Sequence, residues 1–230
     1  GLSASLQQLI IRSEVPEDLR QAVQEQYRRL EEEEGGPLTL AVRSSALGED
    51  IAGTSFAGQY GSVLNVSEEG LLAAYREVVA SKYSLQAMTY RLNRGIRDED
   101  VDMCAGILRM VQAVCGGVLY SRNPVNFRDD SVVINSVWGL PKAVVDGSTP
   151  SDLFVLRRGD PPEILRRDIP RKEHRLVSYA EEGIGRQDLS EEEGARASLL
   201  DEQARELARL AVRLEEHYQA PQDIEWAIEE

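Results

Sequence analysis

The chain has 230 residues, of which 42% are hydrophobic and 29% are charged. A chain of this length can bury one large hydrophobic core or two smaller ones, so one or two domains are expected. The 40 acidic residues outnumber the 26 basic residues and give a formal net charge of -14. That charge argues against a nucleic-acid backbone or an anionic membrane as a partner, because both repel an acidic protein.

The first 34 residues are predicted to be helical, and a second helix is predicted to begin with Pro16 as its first residue. Glu17 and Asp18 then lie in the first turn, where negative charge complements the helix dipole. Four apolar residues at helical spacing predict one buried face, namely Leu19, Val23, Tyr27 and Leu30.

A strand is predicted over residues 38–43, where apolar and smaller residues alternate after a Gly-Gly-Pro turn. The residues after it, up to Gly58, are rich in serine and glycine without helical or strand periodicity, so they predict a loop. A guanidinium at a strand end, followed by short hydroxyls and accessible backbone donors, suits a polyphosphate. Arg43, with Ser44 and Ser45, is therefore a candidate phosphate site, although such a sequence is also typical of an ordinary surface turn.

Three elements are predicted next, namely a strand over 59–66, a helix that opens at Ser67 and a helix over 85–95. Two nearly continuous apolar runs follow, over 101–111 and 115–121. The first run leaves little polar face and predicts a central strand buried on both sides. Cys104 and Cys115 have apolar neighbours and no metal-binding spacing, which predicts buried free thiols in a reducing compartment.

The second half of the chain predicts strands over 131–138, 152–157 and 176–180. The adjacent prolines 161 and 162 predict a turn, and the acidic stretch 183–194 predicts a surface excursion. A helix over 198–218 is predicted to bury one stripe, made of Leu200, Ala204, Leu207, Ala211, Leu214 and Tyr218.

The stretch 222–228 alternates as a strand, with Asp223 and Glu225 on one face and Trp226 on the other. Side chains at positions i and i+2 of a strand lie about 7 Å apart. A hard cation can share two carboxylates at this spacing, and magnesium binds through one or two carboxylates together with water and phosphate oxygens. A solvated strand face is the alternative explanation of the same two residues.

Segments along residues 12–228 resemble the nucleotide-binding domain of the phosphoenolpyruvate synthase and pyruvate phosphate dikinase family, an ATP-grasp module. These segments are Val42-Arg-Ser-Ser-Ala, Glu49-Asp, Ser55-Phe-Ala-Gly-Gln, Ala87-Met-Thr-Tyr-Arg, Arg109-Met-Val, Gly117-Val-Leu-Tyr-Ser-Arg-Asn-Pro, Trp138-Gly-Leu, Glu215-Glu-His-Tyr and Pro221-Gln-Asp-Ile-Glu-Trp-Ala. The resemblance implies an α+β, ATP-grasp-like fold with two lobes of mixed or antiparallel sheets flanked by helices. The first lobe would span 1–112 with a phosphate loop at 43–58, and the second would span 113–230.

The same resemblance implies ATP and Mg²⁺ as cofactors, with the nucleotide in the cleft between the lobes. Arg43 would hold ATP phosphates under a closing loop of residues 44–58, and the backbone of Arg109, Met110 and Val111 would meet the adenine edge. Asp223 and Glu225 would serve magnesium. In this family the domain passes a pyrophosphoryl group from ATP to a histidine on a separate domain, and a third domain transfers phosphate to pyruvate. Those domains are the expected partners.

The chain also departs from the family pattern. The lysine-bearing, glycine-rich start and the glutamine-bearing last strand are not found in it, so a fragment that does not complete the reaction alone is expected. Leu108 stands where the family has glutamine, and Lys142 stands where it has glutamate. Lys142 would either weaken magnesium binding or supply a phosphate contact. His174 and His217 have no phosphohistidine context and are expected to be structural or exposed.

Two alternatives stay open from the sequence. The first is a degenerate relative that binds nucleotide or a partner without catalysis, and the second is a dikinase domain that serves another acceptor, such as a glucan or an antibiotic. The chain has no run of about 18 apolar residues and no signal peptide, which predicts a cytoplasmic protein. Its oligomeric state is left open.

Overall fold

The computed structural model describes residues 1–47, 59–126 and 128–229. The chain forms two compact units, the first made of Gly1–Met110 with Tyr179–Gly183 and the second of Val111–Ser178 with Ile184–Glu230. Among the described residues, no helix is both long enough and apolar enough to cross a membrane.

Two helices open the first unit, α1 (Leu2–Arg12) and α2 (Glu17–Glu34). Pro16 is the N-cap of α2, so the helix begins at Glu17, one residue later than predicted. The helix ends at Gly35, whose φ of 79° is left-handed and directs its N–H to the carbonyl of Glu31. Tyr27 is buried, so the predicted inner face of α2 is confirmed at its centre.

The rest of the first unit contains β1 (Leu40–Ala46), β2 (Ser62–Val66), α3 (Leu71–Ser81), α4 (Leu85–Arg94), a 3₁₀ helix (Asp98–Asp100) and β3 (Met103–Arg109). The three strands form an antiparallel sheet in the order β2-β1-β3. One face of this sheet is apolar and packs on α2 and α3 through Leu40, Val42, Val66, Leu71 and Val78. The spacing of apolar residues in α3 follows from this contact.

The described residues of the second unit form β4 (Cys115–Tyr120), β5 (Val132–Trp138), α5 (Lys142–Val145), β6 (Asp152–Arg157), β7 (Glu163–Asp168), β8 (His174–Ser178), β9 (Ile184–Asp188), α6 (Glu191–Ala195), α7 (Asp201–Tyr218) and β10 (Asp223–Ile228). Five strands form an antiparallel sheet in the order β10-β4-β5-β6-β7, and β8 pairs with β9. The predicted α+β class, with antiparallel sheets flanked by helices, is confirmed.

Helix α7 covers one face of the five-stranded sheet with small side chains. Ala204, Ala208 and Ala211 are buried against β-strand residues such as Phe154. Alanine lets a helix approach a sheet closely, and these positions share one helical face. The predicted stripe was partly wrong, because Leu200, Leu214 and Tyr218 are exposed.

A buried ion pair lies in the second unit, beside Ser198 in the segment that precedes α7. The side chains of Lys172 and Asp152 are both fully buried, and the ammonium donates to one carboxylate oxygen of Asp152. The other oxygen accepts hydrogen bonds from the backbone N–H and the hydroxyl of Ser198, at 2.6 and 2.7 Å. Lys172 also donates to the carbonyl of Pro170 at 3.0 Å. The pair therefore joins β6 to two chain segments outside the strands.

Strand β3 differs from its prediction as a buried central strand. Within the described residues it lies at an edge of its sheet, beside β1 alone. Leu108 is 52% exposed and Cys104 is also exposed, so the prediction of a buried thiol is wrong for Cys104. The prediction of a buried thiol is confirmed for Cys115 in the second unit. Its burial raises the pKa of the thiol to about 11.

Two segments between strands hold more structure than their sequences predict. A strand, β7, follows the two prolines directly, and the acidic stretch after Gly183 contains β9 and α6. β7 exposes most of its side chains, so no alternating pattern marks it. The helix predicted to open at Ser67 begins at Leu71, because residues 68–70 form a turn first.

Candidate functional site

Arg43 lies in the middle of the central strand β1. It pairs with Ser62 on β2 and with Gly106 on β3. Its neighbour Val42 is fully buried, so alternation along the strand directs Arg43 to the opposite face of the sheet, where it is exposed. The strand does not close at Arg43 as predicted, because pairing with β3 continues to Ala46.

Ser44 and Ser45 belong to this extended strand rather than to a loop. The backbone N–H of Ser44 donates to the carbonyl of Gly61 at 3.3 Å, and Ser45 lies on the face that carries Arg43. The remainder of the predicted phosphate loop, residues 48–58, lies outside the described residues. A phosphate-binding role for the two serines stays a prediction.

Leu108, which by the resemblance stands where the family has glutamine, lies on the same exposed face as Arg43. It pairs with Ala41, two residues before Arg43 along β1, so its side chain emerges on that face. An apolar side chain therefore stands on the sheet surface that carries the candidate arginine, where the resemblance implies a polar one. The resemblance implies this departure from the family, and the register of β3 supplies the location of Leu108.

The three residues predicted to meet adenine have different environments. Arg109 forms an ion pair with Glu34 at 3.6 Å between its Nε and the carboxylate. The backbone N–H of Met110 donates to the carbonyl of Thr39 at 2.9 Å, which extends the β1–β3 pairing by one bond. Val111 begins the second unit. The N–H of Met110 is thus already engaged within the first unit, and an adenine contact at these residues stays a prediction.

The acidic pair lies on β10, at an edge of the five-stranded sheet within the described residues. Asp223 pairs with Tyr120 and Glu225 pairs with Val118 on β4. Both carboxylates are exposed while Trp226 is buried, so the alternation predicted for this strand is confirmed. Asp223 and Glu225 therefore share one sheet face, as two side chains at i and i+2 must.

The electrostatics of this pair favour a cation. The pKa of Asp223 is raised, first by its partial burial and second by the negative charge of Glu225. Among the described residues, no group of three or more His, Cys, Asp or Glu side chains is arranged to hold a metal ion. Two carboxylates suffice for magnesium, which completes its shell with water and phosphate oxygens. The donor set on β10 therefore fits a magnesium ion.

Lys142 is the first residue of the short helix α5, which follows Gly139 and its tight turn. The φ of Gly139 is +75°, and a Cβ there would lie 2.0 Å from the carbonyl oxygen of Leu176, so only glycine fits. The ammonium of Lys142 lies 3.6 Å from the carboxylate of Asp146, one helical turn later. Lys142 is half-exposed in this pair. Whether it weakens magnesium binding or contacts phosphate stays open.

A buried cluster at the start of β10 was missed by the sequence reasoning. Glu215 of α7 is 8% exposed and accepts hydrogen bonds from Arg122 at 2.8 Å and from Arg158 at 3.1 Å. Burial alone would raise its pKa, but hydrogen bonds from Arg158, Ser121 and Arg122 lower it to about 2. Ser121 in turn accepts the N–H of Gln222 at 2.7 Å, one residue before Asp223.

This cluster fixes where the acidic strand begins, because Glu215, Ser121 and Gln222 form one hydrogen-bonded chain. The sequence carried a weak signal for it. The segments around Arg122 and Glu215 both resemble the family, but nothing in either segment indicates that the two residues meet. Only the fold brings together residues that are 93 positions apart.

The antiparallel sheets flanked by helices are those of an ATP-grasp-type domain. Residues 2–230 match the family described as pyruvate phosphate dikinase, AMP/ATP-binding domain. The chain belongs to this family.

Named relatives agree with this assignment. A probable phosphoenolpyruvate synthase from Methanocaldococcus jannaschii is 34% identical over 229 residues, which cover 99% of this chain and 19% of the relative. Phosphoenolpyruvate synthase from Escherichia coli is 35% identical over 235 residues, covering 97% of this chain and 30% of the relative. Phosphoenolpyruvate synthase from Aeropyrum pernix is 34% identical over 250 residues, which cover 95% of this chain and 30% of the relative. The chain thus spans less than a third of the length of these curated relatives.

Replacing Glu225 with glutamine is expected to abolish the magnesium dependence of nucleotide binding without loss of stability. Partial burial and then the charge of Glu225 raise the pKa of Asp223, so removing that charge relieves a repulsion between the two carboxylates. Calorimetric titrations with ATP, with and without magnesium, measure the first effect and thermal unfolding measures the second. Glu163→Gln, on the exposed edge strand β7, is the control. Lower stability with the magnesium dependence retained would assign the pair a structural role.

Proposed function

We propose that this chain binds ATP and acts as the phosphoryl-donating domain of an enzyme of the phosphoenolpyruvate synthase type. The observation that carries the proposal is the match of residues 2–230 to an AMP/ATP-binding domain. The curated relatives reported above are named phosphoenolpyruvate synthases. The proposed lobes are residues 1–112, with Arg43, and residues 113–230, with Asp223 and Glu225.

Arg43 is the proposed phosphate ligand. Its exposed position on β1 supports this role, because a guanidinium held by a central strand has a fixed base and can present two parallel N–H donors to a phosphate. Asp223 and Glu225 are the proposed magnesium ligands. When bound, magnesium would neutralise charge on the phosphate oxygens during transfer.

The acceptor is proposed to be a histidine on another domain of an intact enzyme, which then supplies phosphate to a domain that binds pyruvate. The environment of His174 supports an external acceptor. His174 is buried, and its ring nitrogens lie 2.8 Å from Thr149 and from Arg186. Arginine has donors only, so Nδ1 of His174 accepts and Nε2 carries the proton. His217 lies on α7 with its ring against Tyr218.

Replacing Arg43 with lysine is expected to weaken ATP binding almost as much as replacing it with alanine. The reason is that lysine keeps the charge but loses the bidentate geometry, and the contact is worth about 1.5–3 kcal/mol. Calorimetric titration with ATP and magnesium measures the effect. Arg29→Ala, an exposed arginine of α2 paired with Glu25, serves as the control. Unchanged affinity in a folded Arg43→Ala variant would remove Arg43 from the site.

A nucleotide-binding relative without catalysis is the second candidate. It is favoured by the exposed Leu108 on the Arg43 face and by the pairing of Lys142 with Asp146. Incubation with radiolabelled ATP and the histidine-bearing domain of a phosphoenolpyruvate synthase separates the two candidates. Labelled histidine supports the donor function, whereas ATP binding without labelling supports the second candidate.

A further inference from the structure

Gly106 lies at the centre of β3, directly opposite Arg43. The register pairs these two residues on neighbouring antiparallel strands, so a side chain at position 106 would emerge on the face that carries Arg43. The same face carries Arg43, Ser45, Cys104 and Leu108, all of which are exposed. Position 106 is therefore a gap in a row of side chains, immediately beside the proposed phosphate ligand.

Packing among residues 1–47, 59–126 and 128–229 does not require a glycine at this position. The φ of Gly106 lies outside the left-handed range, and a Cβ built on it would meet the carbonyl oxygen of Arg43 and Cδ1 of Leu108 at 3.9 Å each, an ordinary contact distance. Gly117 offers a contrast, because a Cβ there would lie 1.8 Å from the carbonyl oxygen of Asn135. Packing among the described residues explains the glycine at 117 and does not explain the glycine at 106.

A glycine inside a strand also carries a cost. It loses more conformational freedom on folding than any other residue, which weakens a strand interior relative to alanine. Glycine in a strand often marks a place where a ligand approaches the backbone closely. Close approach of a ligand is thus a physical reason for a glycine that packing among the described residues does not require.

We propose that Gly106 is a specificity-determining residue that keeps the sheet surface beside Arg43 clear for the polyphosphate of a nucleoside triphosphate. The inference rests on the proposed role of Arg43. A Cβ at position 106 would lie about 5 Å from the Cβ of Arg43 on the same face. Larger side chains there would occupy the layer above the sheet in which phosphates bound to the guanidinium must lie. The bare backbone instead lets the phosphates approach.

The variants Gly106→Ala and Gly106→Val test the inference by calorimetric titration with magnesium and ATP. Affinity is expected to fall with side-chain size, by about ten-fold or more for valine, while affinity for adenosine, which has no phosphates, changes less. Thermal unfolding without nucleotide is expected at an equal or higher temperature, because valine is favoured in strands. Ser62→Val is the control on the other flank of Arg43, since it adds little volume, and less than about two-fold change is expected.

Three results would overturn the inference. The first is that Gly106→Val binds ATP as tightly as the unmodified chain while Arg43→Ala loses affinity. This result would refute the role of Gly106 and leave the proposed function intact. A lowered unfolding temperature in Gly106→Val would assign the glycine to packing instead. Failure of the unmodified chain to bind ATP at all would refute both the inference and the function on which it rests.

Discussion

Replacing Lys172 with methionine is expected to lower the free energy of unfolding by about 3–5 kcal/mol, because it leaves the buried carboxylate of Asp152 without its counter-charge. Methionine is unbranched and fills much of the space of the lysine stem, so the loss of the ammonium is the main change. Both side chains of the native pair are fully buried, and water cannot replace the missing partner. Urea unfolding measures the effect. A loss below about 1 kcal/mol would show that the pair contributes no more than an exposed one.

A second substitution distinguishes the stability lost because the carboxylate of Asp152 is unpaired from the stability lost through poorer packing. Asp152→Asn in the Lys172→Met background removes the unpaired charge and keeps an acceptor for Ser198, so roughly half of the lost stability should return. Arg167→Met is the control, because Arg167 pairs with Asp201 at 2.8 Å with both side chains about half-exposed. That variant should cost less than about 1 kcal/mol.

Replacing Glu215 with glutamine is expected to cost about 3 kcal/mol at neutral pH. The folded chain lowers the pKa of Glu215 from 4.5 to about 2, and a tenfold change in a proton-binding constant corresponds to about 1.4 kcal/mol. Because the folded pKa is depressed, this stabilisation is present above pH 4.5 and is lost as the pH falls towards 2. The stability difference between native chain and variant should therefore shrink over that range. Chemical unfolding at a series of pH values measures it.

Glu216→Gln is the matched control for this experiment. Glu216 is the next residue of α7 and is exposed, so its replacement should change stability by less than about 0.5 kcal/mol. A Glu215→Gln effect of the same size at pH 7 and at pH 2 would contradict the ionic account. In that case the cluster with Arg122 and Arg158 would act through packing alone.

Helix capping and hydrophobic alternation predicted those elements whose bounds are set by residues within or next to them. The helix α4 has Ser84 as an N-cap, which accepts the N–H of Ala87, and Gly95 as a left-handed C-cap, so its predicted bounds are confirmed. Strand β10 alternates because one of its faces packs on the core and the other does not. The adjacency of Asp223 and Glu225 follows from that alternation, which is why sequence alone could pair them.

Features set by strand order and long-range contact could not be predicted in this way. Apolar residues along β3 gave no sign that one of its faces would be exposed, because strand order places β1 beside β2 and β3 at an edge. Arg122 and Arg158 reach Glu215 only through the packing of α7 on the sheet. The position of Gly106 beside Arg43 likewise follows from the register of β1 and β3, which the sequence does not give.

The charged strands at the two ends of the five-stranded sheet also bear on self-association. Within the described residues, β10 and β7 are its edges, and unpaired strand edges can template aggregation with another chain. β10 carries Asp223 and Glu225, and β7 carries Arg166, Arg167 and Asp168, all exposed. Charged side chains on an edge strand oppose its pairing with the same edge of a second copy of the chain. The carboxylates proposed to hold magnesium thus also help to keep separate copies of this sheet from joining edge to edge.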